Sequence, residues 1–442
     1  MSNTTNVYPI NDKRIINGWA MFDWANSAYA LVITAAIFPI YFNTIVENEF
    51  IFLGIEITDS ALFSYSISFA YVVIALSLPL LSGIADYGGK RLTFMRWFTT
   101  LGAMACIGLF FFLDHDDLWI GLLGSMLAII GFAGGQVFYN SYLPLIASED
   151  QLDKVSARGF GFGYVGSVLL LLVCLALIQN PQWLGMGEEG WIATPLFNPD
   201  SFPIRLSFIL VGLWWIGFSQ ITFNRMPRDV KDDSQGNLIA KGYEELQKVW
   251  RALKQQGNTK RFLIAFFCYS AGAQTVIFLA STFATDELAF EASELIVTIL
   301  ILQLVAIFGA YIFAIISGKW GNKNSLISML VIWISICIMA YFVTGKGQFY
   351  VIAALVGLVM GGVQSLSRST YSKLLPANTD DTTSYFSFYD VLEKLAIVLG
   401  TFSFGFIELL TGGMRNSVLA LSAFFLVGIL ILMTVKIKSA KT

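Results

Sequence analysis

Twelve stretches of this chain are each long and apolar enough to cross a bilayer. They fall at approximately 17–42, 62–84, 94–113, 118–146, 159–179, 203–223, 261–284, 294–317, 325–344, 348–371, 385–410 and 417–436. A crossing needs about 20 apolar residues. Inside hydrocarbon each backbone polar group must be satisfied within its own segment, which makes such runs helices. Only 13% of the 442 residues are charged, against roughly 25% in soluble domains. The expected fold class is therefore an all-α polytopic membrane protein with twelve transmembrane helices. The first sixteen residues are polar and the first apolar run is too long for a signal-peptide core, so it is expected to stay as a span.

Charge placement predicts orientation. With the N-terminus in the cytoplasm, 23 of the 27 Lys and Arg fall in cytoplasmic segments, the bias that sets topology. Lys346 and Arg415 lie in outer loops, Arg205 at the outer edge of span 6, and Lys394 inside span 11. Both termini are expected inside. The four cysteines all fall within spans and the single histidine, His115, lies in a short outer loop. No metal site, cofactor or nucleic-acid partner is expected.

The longest polar stretch separates the spans six and six. The predicted domain map is a first bundle over 1–223, a cytoplasmic linker over 224–260 and a second bundle over 261–442. Within the linker, Ile239, Gly242, Tyr243, Leu246, Val249, Trp250 and Leu253 recur at helical spacing, with Lys241, Lys248, Arg251 and Lys254 on the remaining face. This fits an amphipathic helix on the membrane surface, or a plain solvated linker helix. The halves also echo each other. Gly83, Asp86, Gly89, Lys90 and Arg91 follow span 2, and Gly318-Lys319-Trp320-Gly321-Asn322-Lys323 follows span 8. Gly134-Gly135-Gln136 with Asn140 in span 4 matches Gly361-Gly362-Val363-Gln364 with Arg368 in span 10.

The loop after span 2 resembles the major facilitator signature, Gly-x-x-Asp-x-x-Gly-x-Lys/Arg-Arg. More narrowly, the chain resembles the vacuole-effluxer-like family of fungal vacuolar amino-acid exporters and bacterial relatives. The residues that carry this are Phe22-Asp23-Trp24-Ala25-Asn26-Ser27-Ala28, Phe38 to Phe42, Phe138 to Pro144, Gly272 to Thr275, Gln364 to Ser369, and Tyr389 with Lys394. The resemblance implies two pseudo-symmetric six-helix halves around a central cavity lined by helices 1, 4, 7 and 10. It also implies that Asp86 faces the start of span 11 as a conformational latch with Gly83, Gly89, Lys90 and Arg91. The second-half copy carries Lys319 where Asp86 aligns, so the latch is expected to be asymmetric.

Acids inside a span cost several kcal/mol and are functional candidates by default, about 2.5–3.5 kcal/mol on insertion scales. Asp23 shares a stripe with Ser27, Ala30, Thr34 and Tyr41, with Asn26 beside it. It is read either as a cavity carboxylate or as a brace near Lys13 and Arg14. Asp390 and Lys394 are four apart and can pair, which leaves Glu393 to find another partner. The pair is either self-neutralised, or Lys394 holds an anionic substrate group while an acid carries a proton. Asn26, Ser27, Gln136, Asn140, Gln274, Gln364 and Arg368 are candidates for the cavity wall, with helix–helix hydrogen bonding as the alternative. Arg368, near the inner mouth, is also open to gating or to phosphate-headgroup contact. Gly161-Phe162-Gly163-Tyr164-Val165-Gly166 matches a dinucleotide-binding pattern, but it opens a span and lacks the surrounding strand–helix–strand unit. Gly159 and Gly163 are read instead as a small-residue packing face.

The resulting expectation is a monomeric secondary active transporter in the inner (plasma) membrane. It would move a small polar solute, such as an amino acid, by alternating access with protons or another coupling ion. The alternatives are a drug or lipid exporter of the same fold, a membrane enzyme, and a non-transporting sensor. No constellation for an enzyme is visible.

Overall fold

The computed structural model describes residues 9–46, 50–52, 55–57, 59–186, 194, 196–227, 237–376 and 379–437. Residues 1–8 and 228–236 of the expected domain map lie outside them. Twelve long helices account for most of the rest: α1 (Lys13–Ile45), α2 (Asp59–Gly88), α3 (Arg91–Gly108), α4 (Leu118–Ser141), α5 (Leu152–Gln179), α6 (Phe202–Arg225), α7 (Leu238–Gln255), α8 (Gly257–Leu288), α9 (Ala292–Phe342), α10 (Lys346–Leu374), α11 (Thr382–Thr411) and α12 (Met414–Met433). Two short antiparallel strands, β1 (Phe50–Phe52) and β2 (Ile55–Ile57), follow α1 in a loop where no strand was expected.

Eleven of the described helices are long and apolar enough to cross a membrane; α7 is not among them. They make twelve crossings because α9 makes two. Its 51 residues would run about 75 Å at 1.5 Å per residue, well beyond a bilayer of about 40–45 Å with its headgroups. Gly321 breaks it at φ 78° and ψ 155°, a backbone region that glycine enters without a Cβ penalty. The chain reverses there. Glu294 at one end of α9 and Lys346 just past the other approach to 2.6 Å. The described N-terminal and C-terminal ends therefore share one face, called here the terminal face.

Local sequence explains the helix starts. The Asp12 side chain accepts from the backbone N–H groups of Arg14 and Ile15 and caps α1. Asn237 does the same for α7 through Ile239 and Ala240. Such caps contribute about 1 kcal/mol. Within α1, Tyr29–Ile37 winds as a π-helix just before Pro39, which has no N–H to donate. The extra residue per turn rotates the outer part of the helix. Tyr41 therefore leaves the Asp23 stripe, and its hydroxyl donates to Phe112 O, just after the Leu109–Phe111 turn, 2.6 Å away.

The amphipathic helix expected near 239–253 is α7. It is docked against the protein as well as amphipathic. Gly83 at the end of α2 meets the Gly242 backbone so closely that neither position has room for a Cβ. Val249 and Leu253 are buried.

Candidate functional site

Asp23 and Arg368 form an ion pair at the seam between the first six crossings and the last six, at 3.3 Å. Both are nearly inaccessible, at 2% exposure each. Three helices of the first bundle grip this α10 guanidinium. Its Nη1 donates to Asn140 Oδ1 on α4 at 3.1 Å, its Nε to Ser156 Oγ on α5 at 3.0 Å, and its Nη2 to Ser156 O at 2.8 Å. The planar cation also lies against the rings of Trp19 and Phe160 at 4.8 and 4.1 Å. Tyr139 Oη donates to Asp23 Oδ2 at 2.7 Å, and Trp19 Nε1 fixes the Tyr139 carbonyl at 2.9 Å. A buried pair holds only when its remaining donors and acceptors are satisfied as well. Here Asn140 Oδ1, Ser156 Oγ and O, and the Tyr139 hydroxyl supply hydrogen bonds to the pair.

These contacts bear on two earlier alternatives. Asp23 does not brace Lys13 or Arg14, because its partners are Tyr139 and Arg368. Arg368 is too deeply covered for headgroup contact in this state. The packing face read for Gly159 and Gly163 is present, and it lies against the pair. A Cβ on Gly159 would come within 2.6 Å of Tyr139 Oη, 2.8 Å of Asp23 Oδ2 and 2.9 Å of Arg368 Nη2. One on Gly163 would come within 2.5 Å of Ser27 Oγ.

The second charged group lies on α11. Lys394 Nζ is 3.2 Å from Asp390 Oδ1 and 3.1 Å from Glu393 Oε2. Gln274 on α8 donates to Glu393 Oε1 at 3.1 Å. Glu393 thus finds its partner in the same lysine, which makes a triad of two acids around one base. Its side chain is 23% exposed, against 5% for Asp390 and 12% for Lys394. No described side chain bonds to Asp390 Oδ2.

The other cavity candidates divide. Gln364 accepts from the Tyr164 hydroxyl across the seam at 2.6 Å. Asn26 is fully buried with neither its oxygen nor its nitrogen bonded among the described residues. Ser27 and Gln136 are half-buried and make no bond to the ion pair.

Nearer the terminal face the seam carries two further clasps. Asp86 Oδ2 accepts from Ser384 N and Ser384 Oγ, both at 2.7 Å, and its Oδ1 accepts from Thr383 N at 3.2 Å. An anion is thereby seated on the positive N-terminus of α11, a placement that stabilises by about 0.3–1 kcal/mol and up to about 2 kcal/mol when partly buried. Arg91 pairs with Asp86 at 3.0 Å and reaches Thr383 Oγ1 at 2.7 Å and the Asp380 carbonyl. Gly89, at φ 58°, makes the tight turn that sets Arg91. Lys90 is half-buried at the start of α3.

The other clasp was missed by sequence reasoning. Asp153 at the start of α5 accepts from Lys373 Nζ, Ser317 Oγ and Asn322 Nδ2, each at 2.8 Å. It reaches across the seam to Ser317 and Asn322, on either side of the second-half loop that carries Lys319 in place of an acid, and Lys319 itself is exposed. A signal was available: that loop holds basic and amide groups with no acid of its own.

Two six-crossing bundles with charged groups buried in the seam between them define a major facilitator transporter, and solved structures agree on the fold. The chain aligns with the major facilitator transporter FucP in its outward conformation at TM-score 0.68 and 14% identity, over 96% of this chain and 100% of that one. It aligns with the human organic anion transporter MFSD10 at TM-score 0.68 and 11% identity, over 95% and 99%. The family profile described as "Vacuole effluxer Atg22 like" matches residues 11–442, and the chain belongs to that family. It is 29% identical over 417 residues to the uncharacterized MFS-type transporter YxiO of Bacillus subtilis, covering 94% of this chain and 93% of that protein. It is 27% identical to autophagy-related protein 22 of Kluyveromyces lactis, covering 85% and 79%. The chain is therefore a multi-pass membrane transporter and not an enzyme.

Proposed function

We propose that this transporter moves a small polar solute, an amino acid among the first to test, by alternating access coupled to protons. The observation that carries the reading is the contrast between the two charged groups. Asp23–Arg368 joins the two bundles and must break for the terminal face to open. The Asp390–Glu393–Lys394 triad lies on one helix and can persist through the cycle. Its two acids around one base leave a carboxylate able to take up and release a proton while the lysine stays paired. Partly exposed Glu393 and Lys394 offer a zwitterionic solute one group of each sign. Asp86 on the α11 N-terminus acts as the latch of the closed terminal face.

Positive residues concentrate on the terminal face, which supports a cytoplasmic location for both ends. The strong similarity to a bacterial relative supports the plasma membrane. Each chain encloses its own seam, which supports a monomer.

The test is uptake into proteoliposomes under an imposed pH gradient, screened with amino acids, sugars and peptides. Expected is acid-driven accumulation of at least one amino acid that Glu393→Gln abolishes. Solute movement that ignores the pH gradient, or survives Glu393→Gln with its pH dependence intact, removes the proton role.

A further inference from the structure

Helix α7 has three different faces. At 3.6 residues per turn, Gly242, Val249 and Leu253 share one stripe, and all three are buried against the protein. The adjacent stripe carries Ile239, Tyr243 and Trp250, which stay 61%, 55% and 49% exposed. Along its far edge run Arg251 and Lys254, with the Lys254 ammonium 4.9 Å from the centre of the Trp250 ring. The helix holds four basic and two acidic residues. Apolar and aromatic residues beside Lys and Arg, on a helix too polar to cross, are the pattern of an interfacial helix. Aromatic rings with a polar tip favour the headgroup level.

The protein-facing side ties α7 to both bundles. Gly242 is wedged against Gly83 and Ile84 at the end of α2. Lys248 bonds Asp381 at the start of α11 at 2.8 Å, Trp250 stacks on Phe388 with ring centres 5.5 Å apart, and Gln256 just after α7 donates to Tyr385 Oη at 3.0 Å. These contacts straddle the junction where Asp86 sits on the α11 N-terminus. Trp250 belongs to both systems, with one side against Phe388 and part of its surface free.

We propose that α7 docks on an anionic bilayer surface through Ile239, Tyr243 and Trp250 flanked by Arg251 and Lys254, and that this docking holds the terminal-face seam between α2 and α11 shut. The occupant is a lipid surface because the exposed stripe is apolar, its border is cationic, and the helix lies at the membrane end of α2. Each basic residue near an anionic surface strengthens attachment several-fold, so two of them can bias a conformational equilibrium measurably. The proposal does not depend on which solute is carried.

The test is hydrogen–deuterium exchange on the full-length protein in nanodiscs of phosphatidylcholine alone or with phosphatidylglycerol. Expected is several-fold slower exchange over 238–255 in the anionic discs, with parallel slowing over 380–392. The Arg251→Gln/Lys254→Gln variant, changed only at exposed positions, should exchange alike in both discs and match the parent in neutral ones. Soluble glycerophosphate added to neutral discs should not reproduce the effect. Equal exchange of the parent in both discs overturns the docking. Slowing confined to 238–255, with 380–392 unmoved, overturns the coupling to the seam. Reproduction by soluble glycerophosphate overturns the membrane as the occupant.

Discussion

The Asp23–Arg368 pair and the Asp390–Glu393–Lys394 triad are both buried charges in one transporter, and they are built on opposite principles. The pair is balanced, is assembled from four helices of two bundles, and is sealed by Tyr139, Ser156, Trp19 and Phe160. The triad is unbalanced, lies on one helix with help from Gln274, and leaves Glu393 partly open. A charge group shared between two rigid bodies reports on their separation. One carried by a single body can exchange protons or hold a solute in either arrangement. Under the proposed function the first is the gate and the second the coupling site.

The comparison can be tested in order of effect size. Arg368→Gln strands Asp23 in a covered site, and breaking a buried pair costs about 3–5 kcal/mol. It should lower the unfolding temperature strongly and abolish transport. The double variant Asp23→Asn/Arg368→Gln should recover part of that stability, as read in a double-mutant cycle, and additive losses would deny the pairing. Gly159→Ala pushes a methyl into Tyr139, Asp23 and Arg368. It should impair transport far more than Gly405→Ala, a helical glycine with nothing within 4 Å. Asp86→Asn removes the anion from the α11 N-terminus, worth up to about 2 kcal/mol. It should raise thiol labelling of Ser156→Cys from the terminal side in a background lacking native cysteines. Glu393→Gln should change stability least, because Lys394 keeps Asp390 as its partner, while removing pH-driven uptake. A large stability loss there would erase the distinction between gate and coupling site.

The crossings were legible because each is a long apolar run, and the α9 break at Gly321 falls in the loop expected between the spans at 294–317 and 325–344; the paired strands β1 and β2 escaped the pattern. The candidate residues were legible as expensive polar groups in apolar surroundings. Their pairings were not. Helical spacing places Asp23 on a face of α1, but Arg368 lies 345 positions away, and nothing local says which α10 residue meets it. Asp390 and Lys394 were readable as a pair because four-residue spacing is local. Asp153 sits beside Lys154 at the polar start of α5, where an acid costs nothing, so only its contacts across the seam distinguish it. The π-helical turn at Tyr29–Ile37 rotated Tyr41 off its expected stripe, since sequence periodicity assumes an unbroken α-helix.

One feature of the seam bears on how the chain assembles. Among the described residues, the carboxylates that bond across the seam, Asp23, Asp86 and Asp153, come from the first bundle, while Arg368, Lys373 and the α11 N-terminus that receive them come from the second. The halves are thus keyed like plug and socket. Two copies of the first bundle would bring Asp23 and Asp153 together without the Arg368 and Lys373 that receive them. The polarity of the seam thus favours pairing of the first bundle with the later half of its own chain over pairing with a second copy of itself.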